Sequence, residues 1–118
     1  MLDRLKTMMD HLRDHREIER MDARELEELG LSRGQLHEIV DTPEKVAARM
    51  AAMAQRHGVM VEDLETFRQD YAELLHTCAH CRETGACADF LRDPRAPATA
   101  ATFCPNHAEY QALARTPA

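Results

Sequence analysis

Thr42-Pro-Glu-Lys-Val-Ala-Ala-Arg-Met-Ala-Ala-Met-Ala-Gln-Arg-His-Gly58 reads as one helix with both of its ends written into it. Thr42 is a good N-cap, Pro43 suits the first helical position, and Glu44 places an acid near the positive helix end. Val46, Ala47, Met50, Met53 and Ala54 recur at spacings of three and four, so they form one apolar stripe. Gly58 marks the stop. Methionines at this spacing could offer an adaptable docking surface, but the expectation is ordinary core.

The same period continues on both sides. Leu2, Leu5, Met8, Met9, Leu12 and Ile18 predict an amphipathic helix over 2–20, whose apolar stripe needs a partner. His11 and His15 lie four apart on it and are read as solvated surface residues, since no third ligand is near in sequence. Asp22-Ala-Arg-Glu25 opens a short helix that stops at Gly30, and Ser32-Arg-Gly-Gln35 opens another through Leu36, Ile39 and Val40. These two have the outline of a helix-turn-helix, yet six acids face two arginines between Asp22 and Asp41. A structural hairpin is expected instead. Val61 to Leu75 reads as one further helix, with Leu64, Phe67, Tyr71, Leu74 and Leu75 on one side. Cys87 to Leu91 reads as a short helix, 93–102 as a Pro/Ala/Thr-rich loop, and Pro105 as the start of a last helix through Tyr110 and Leu113.

With three Phe, two Tyr and no Trp among 118 residues, the core must be built from Leu, Met, Val, Ile and Ala. That palette suits packed helices, so the fold class is all-α, a small helical bundle with a Cys-rich metal-binding loop region in its C-terminal third. The length fits a single domain over 1–118. Within it, 1–20 is an N-terminal amphipathic helix or arm, 21–77 the helical core and 78–118 the four-cysteine region. The net charge of −6, with acids and arginines interleaved, argues against a nucleic-acid surface. No apolar run reaches the length of a membrane span, and Met-Leu-Asp-Arg-Leu-Lys lacks the apolar core of a secretory signal. A cytoplasmic protein is expected.

In a reducing compartment, clustered thiols are metal ligands or redox groups more often than disulfides. Cys78-Ala-His-Cys81-Arg-Glu-Thr-Gly-Ala-Cys87 and Phe103-Cys104-Pro105-Asn106-His107 hold all four cysteines of the chain. Two cysteines separated by two residues can turn both sulfurs toward one point around a tight turn. Three thiols in one loop, closed by a distant fourth that is followed by Pro, is how many proteins wrap an iron–sulfur cluster. The spacing Cys78-x2-Cys81-x5-Cys87 resembles part of the cluster loop of the endonuclease III class of DNA glycosylases, which places its remaining Cys before the trio rather than after it. Zinc is the rival: Cys78/Cys81 with Cys104/His107 gives CxxC and CxxH, or all four Cys bind with His107 outside. His76 and His80 are read as neighbours that tune the sulfurs. A thioredoxin-like dithiol would need a βαβ context that this helical sequence does not offer. A metal with no chemistry, replacing the core missing under the loop from Asp93 to Thr102, is the bland alternative.

These motifs, CxxC, a third Cys beside Ala-Asp-Phe-Leu, then Phe-Cys-Pro-Asn, resemble a group of small alphaproteobacterial four-cysteine proteins of unknown function. Such proteins commonly carry Trp-Leu where this chain has Phe90-Leu91, and a His at the position of His107 is not constant among them. The resemblance implies Cys78, Cys81, Cys87 and Cys104 as the ligand set. Arg24-Glu-Leu-Glu-Glu-Leu-Gly-Leu-Ser-Arg33 is similar to the short motif of YjiS-like proteins, some of which are linked to RNA. The acidity of the segment here opposes that role.

The functional expectation is a small metal-binding protein holding a [4Fe-4S] cluster for electron transfer or redox and iron sensing, with a protein partner. The alternative is a Zn2+-stabilised helical adaptor. No nucleophile, base and oxyanion constellation and no Gly-rich phosphate loop is evident, so neither an enzyme nor a small-molecule substrate is expected.

Overall fold

The computed structural model describes residues 2–115, except for the side chains of Leu2, Asp3, Arg4, Thr7 and Glu65. The described residues form helices and no strand, and none of the helices is long and apolar enough to cross a membrane. Their contacts divide into two compact units, Met1–Pro43 and Glu44–Ala118. The division falls at neither 20/21 nor 77/78, because the contacts inside each unit span those positions.

The first unit contains α1 (Leu2–Arg20), α2 (Ala23–Leu29) and α3 (Arg33–Asp41), with α1 packed on α3. The Asp22 carboxylate accepts from Glu25 N–H at 2.8 Å and starts α2. Gly30, in the left-handed region at φ 73°, ends it by donating to Leu26 and Glu27 carbonyls. Ser32 and Gln35 form a full capping box at α3. The Arg33 guanidinium donates to the carbonyls of Ile18 and Met21, covering the exposed acceptors at the end of α1. Of the expected α1 stripe, Ile18 is buried while Leu5, Met8, Met9 and Leu12 stay about half exposed. Leu2 lies outside the described side chains.

The second unit contains α4 (Glu44–Arg56), α5 (Val61–Thr66), α6 (Arg68–Ala79), α7 (Thr84–Arg92), a 3-10 turn (Ala98–Ala100) and α8 (His107–Arg115). Val46, Met50, Met53 and Ala54 of α4 are buried, as are Leu64 of α5 and Ala72, Leu74 and Leu75 of α6. Met50 and Met53 are each 1% exposed, so the methionine stripe is core. Each such side chain contributes roughly 1.5–3 kcal/mol by leaving water. Gly58, at φ 82°, stops α4 and donates to Gln55 O.

Three local features differ from the sequence reading. Thr42 caps backward: its hydroxyl donates to Glu38 O at 2.8 Å, the carbonyl near the end of α3 that its own backbone N–H also reaches, instead of starting α4. The helix expected over 61–75 is broken at Phe67, whose ψ of 73° is not helical and whose side chain is 46% exposed. The last helix starts two residues beyond Pro105, because Cys104 N–H first bonds Ala101 O and His107 N–H bonds Cys104 O in successive turns.

Candidate metal centre

Cys78 sits in the last turn of α6, where helix geometry fixes it, and its thiol lies 3.9 Å from Val46 O. The chain then turns, with Cys81 N–H donating to Cys78 O at 3.2 Å, so that both cysteines line the same cavity. Glu83 N–H points at Cys81 Sγ, 3.2 Å away, the kind of backbone donor that stabilises a thiolate. Cys87 is buried in the first turn of α7, near the positive helix end. Cys104 enters from the turn before α8. That turn is tied down by Asn106, whose buried amide donates to Leu74 O at 2.9 Å on the helix that carries Cys78. Phe103 packs edge-on to Phe90 of α7, centroids 6.1 Å apart. The Phe-Cys-Pro-Asn run therefore anchors the fourth thiol on both sides.

All four cysteines line one cavity, with Arg49, Met53, Phe103, Pro105, Asn106 and Tyr110 completing its wall. The free space at its centre is about 20 Å³. All four are free thiols. No three of these sulfurs lie within 4.8 Å of one another. A single tetrahedral zinc, with Zn–S of about 2.3 Å, would hold its sulfurs roughly 3.8 Å apart.

The electrostatics tie the four together. Burial pushes the Cys87 thiol up, the Cys104 charge pushes it further, and Arg49 opposes both. Burial also pushes Cys104 up, against backbone N–H groups of Asn106 and His107, while charge on Cys81 and Cys78 adds to the rise. Tyr110 is raised, first by burial and then by Cys104. Charge on a neighbouring sulfur thus disfavours the thiolate forms of Cys87 and Cys104, a condition that a cation at the centre would relieve. Arg49 is the cationic side chain on the wall, and its guanidinium also donates to Cys78 O at 3.4 Å.

Residues 37–116 match a family of unknown function, DUF6455. The chain belongs to this family. The match to DUF6455 includes all four cysteines and every other residue on the cavity wall. No curated protein and no solved structure matches the chain.

His107, the candidate for a CxxH pair, is absent from the cavity wall, and its Nδ1 lies 2.9 Å from His57 Nε2. His57 is buried with Nδ1–H donating to Met53 O at 2.8 Å, and burial lowers its pKa, so the neutral ring accepts from His107. The donor set on the cavity is therefore four thiols, a set suited to zinc or to an iron–sulfur cluster. Arg49, Met53 and Tyr110 went unread as site residues because only tertiary packing brings them to the cysteines. The one available signal was Arg49 on the otherwise apolar side of α4.

Proposed function

We propose that this protein is a small non-enzymatic redox module that holds a [4Fe-4S] cluster through Cys78, Cys81, Cys87 and Cys104, in a reducing cytoplasm. The observation that carries the reading is four free thiols lining one mostly apolar cavity, three of them from the single stretch 78–87. When bound, such a cluster exchanges single electrons. The chain supplies the rest: Met53, Phe103, Pro105 and Tyr110 exclude water, Glu83 N–H supports the Cys81 sulfur, and Arg49 offsets the negative charge of four thiolates. Electron transfer or sensing of oxidant and iron supply then requires a protein partner, docked on a surface rich in acids.

A zinc-stabilised adaptor is the second reading. The observation on its side is the central space of about 20 Å³, room for about one water-sized occupant. Elemental analysis of protein purified without oxygen separates the two. The cluster reading expects a brown protein with about four iron and four sulfide per chain. Colourless protein with one zinc per chain supports the adaptor, and equal metal content in wild type and Cys81→Ala would remove the site altogether.

A further inference from the structure

In the first unit, four side chains join α1 to α3 in a line. Asp41 Oδ1 lies 2.6 Å from His15 Nε2, His15 Nδ1 lies 2.5 Å from His37 Nδ1, and His37 Nε2 lies 2.7 Å from Glu19 Oε1. The ring centroids are 4.8 Å apart at an interplanar angle of 21°. That separation is the Nδ1–Nδ1 gap plus one ring radius at each end, so the two nitrogens face each other head-on in nearly one plane.

Proton counting shows what this line lacks. It contains three close contacts, the outer groups are carboxylates, and two neutral imidazoles bring only two protons. With those protons on Nε2, facing Asp41 and Glu19, the two Nδ1 lone pairs oppose each other. Moving a proton inward only transfers the repulsion to a ring nitrogen against a carboxylate. The middle position requires a cation.

We propose that His15 and His37 bind a divalent transition-metal ion of the imidazole-preferring class, Zn2+, Ni2+ or Cu2+, through their Nδ1 atoms. A histidine whose far N–H is held by a carboxylate is the usual metal-ligand arrangement, because the carboxylate fixes the tautomer and raises the basicity of the ligating nitrogen. Here both rings carry one, and the two carboxylates balance the charge of the ion. Metal–nitrogen distances of about 2.0–2.1 Å require the pair to open by roughly half an ångström to an ångström, within reach of side-chain rotation. Both rings are about one-quarter exposed, and a solvent-open hollow bordered by Leu12, His15, Arg16, Glu19 and Arg20 admits the waters that complete coordination. Arg16 and Arg20 oppose the ion from that hollow, and Glu19 and Asp41 offset them. Binding forms two metal–nitrogen bonds and releases to solvent any proton held between the rings. This site lies in the first unit and does not rest on the reading of the cysteines.

The test is a Ni2+ titration of the full-length chain, followed through the imidazole resonances of each histidine. Paramagnetic broadening of His15 and His37 ahead of His11 is expected, and His37→Ala should abolish it at His15. Asp41→Asn keeps an acceptor for His15 and should lower affinity by about tenfold or more. Unchanged amide spectra of α1 and α3 establish that the variants are folded. Unbroadened His15 and His37 at saturating Ni2+, or broadening of His15 that survives His37→Ala, would overturn the proposal and leave the middle position to a proton.

Discussion

Arg49 puts a permanent cation on the wall of a four-thiol cavity whose remaining lining is mostly apolar. Four thiolates around a metal leave a net negative centre, and in a water-poor cavity that charge is stabilised by whatever positive group is near. Arg49 is held there by its bond to Cys78 O, and its charge already opposes the rise of the Cys87 thiol. Arg49→Gln should therefore lower metal affinity by about tenfold and move the midpoint potential of a loaded cluster to more negative values, with partial rescue by Arg49→Lys. Competition with a chelator and a redox titration measure the two effects. A variant identical to wild type in both would show that the guanidinium serves packing alone. The gathering of the cysteines was legible in the sequence because thiols at such short spacings, when not paired as disulfides, most often share one site. Arg49 was not, since its place on the otherwise apolar side of α4 marks it as unusual but a separation of 29 residues from Cys78 does not say what it meets. His15 and His37 escaped for the same reason: they meet across 22 residues, whereas the readable spacing, His11 with His15, joins nothing in the structure.

Among the elements, the segment after α7 shows how a loop of poor core-forming composition is held. Arg56, in the last turn of α4, donates to Phe90 O at 3.3 Å, Asp93 O at 2.9 Å and Ala96 O at 2.5 Å, and its guanidinium lies 4.4 Å from the centre of the Phe90 ring. One side chain thus satisfies the carbonyl end of α7 and the start of the loop. Ala101, fully buried, anchors the other side of the loop next to Cys104. The order of 93–102 therefore has a source within the chain, distinct from any metal. Arg56→Ala should destabilise the second unit by about 2–3 kcal/mol, the range for lost hydrogen bonds to a charged group. Amide exchange should quicken most at Asp93 and Ala96, and their unaltered protection would rule out the clamp. Capping boxes, glycine stops and the three-to-four period made six of the helices readable from local chemistry alone. The break at Phe67 and the backward cap of Thr42 were not readable, because each reflects a choice between two locally acceptable geometries that only the packed chain makes.

For the whole molecule, every residue on the four-cysteine cavity lies in Glu44–Ala118, and the Asn106 and Arg56 tethers that shape it do too. A chain starting at Thr42 should consequently keep the whole of the cysteine site, one ion or cluster per chain, and lose only the metal assigned to His15 and His37. A unit of this size buries a modest core, and small domains commonly need a metal or disulfide to stay folded. Here the thiols are free, and the proposed metal would supply that stabilisation. Binding and folding would then be one equilibrium: the thiols give up their protons as the ion binds, and the ion offsets the charge they take on. Even a coupling of about 2 kcal/mol would lower the melting temperature of the fragment by roughly 8–16 °C on chelation. Cys104→Ser should produce the same shift without chelator, since it removes the ligand that joins the turn before α8 to α6 and α7. Calorimetry of the fragment with and without metal checks both. If the fragment melts at one temperature in every state, the cavity folds unaided and the cysteines are dispensable to the stability of this unit.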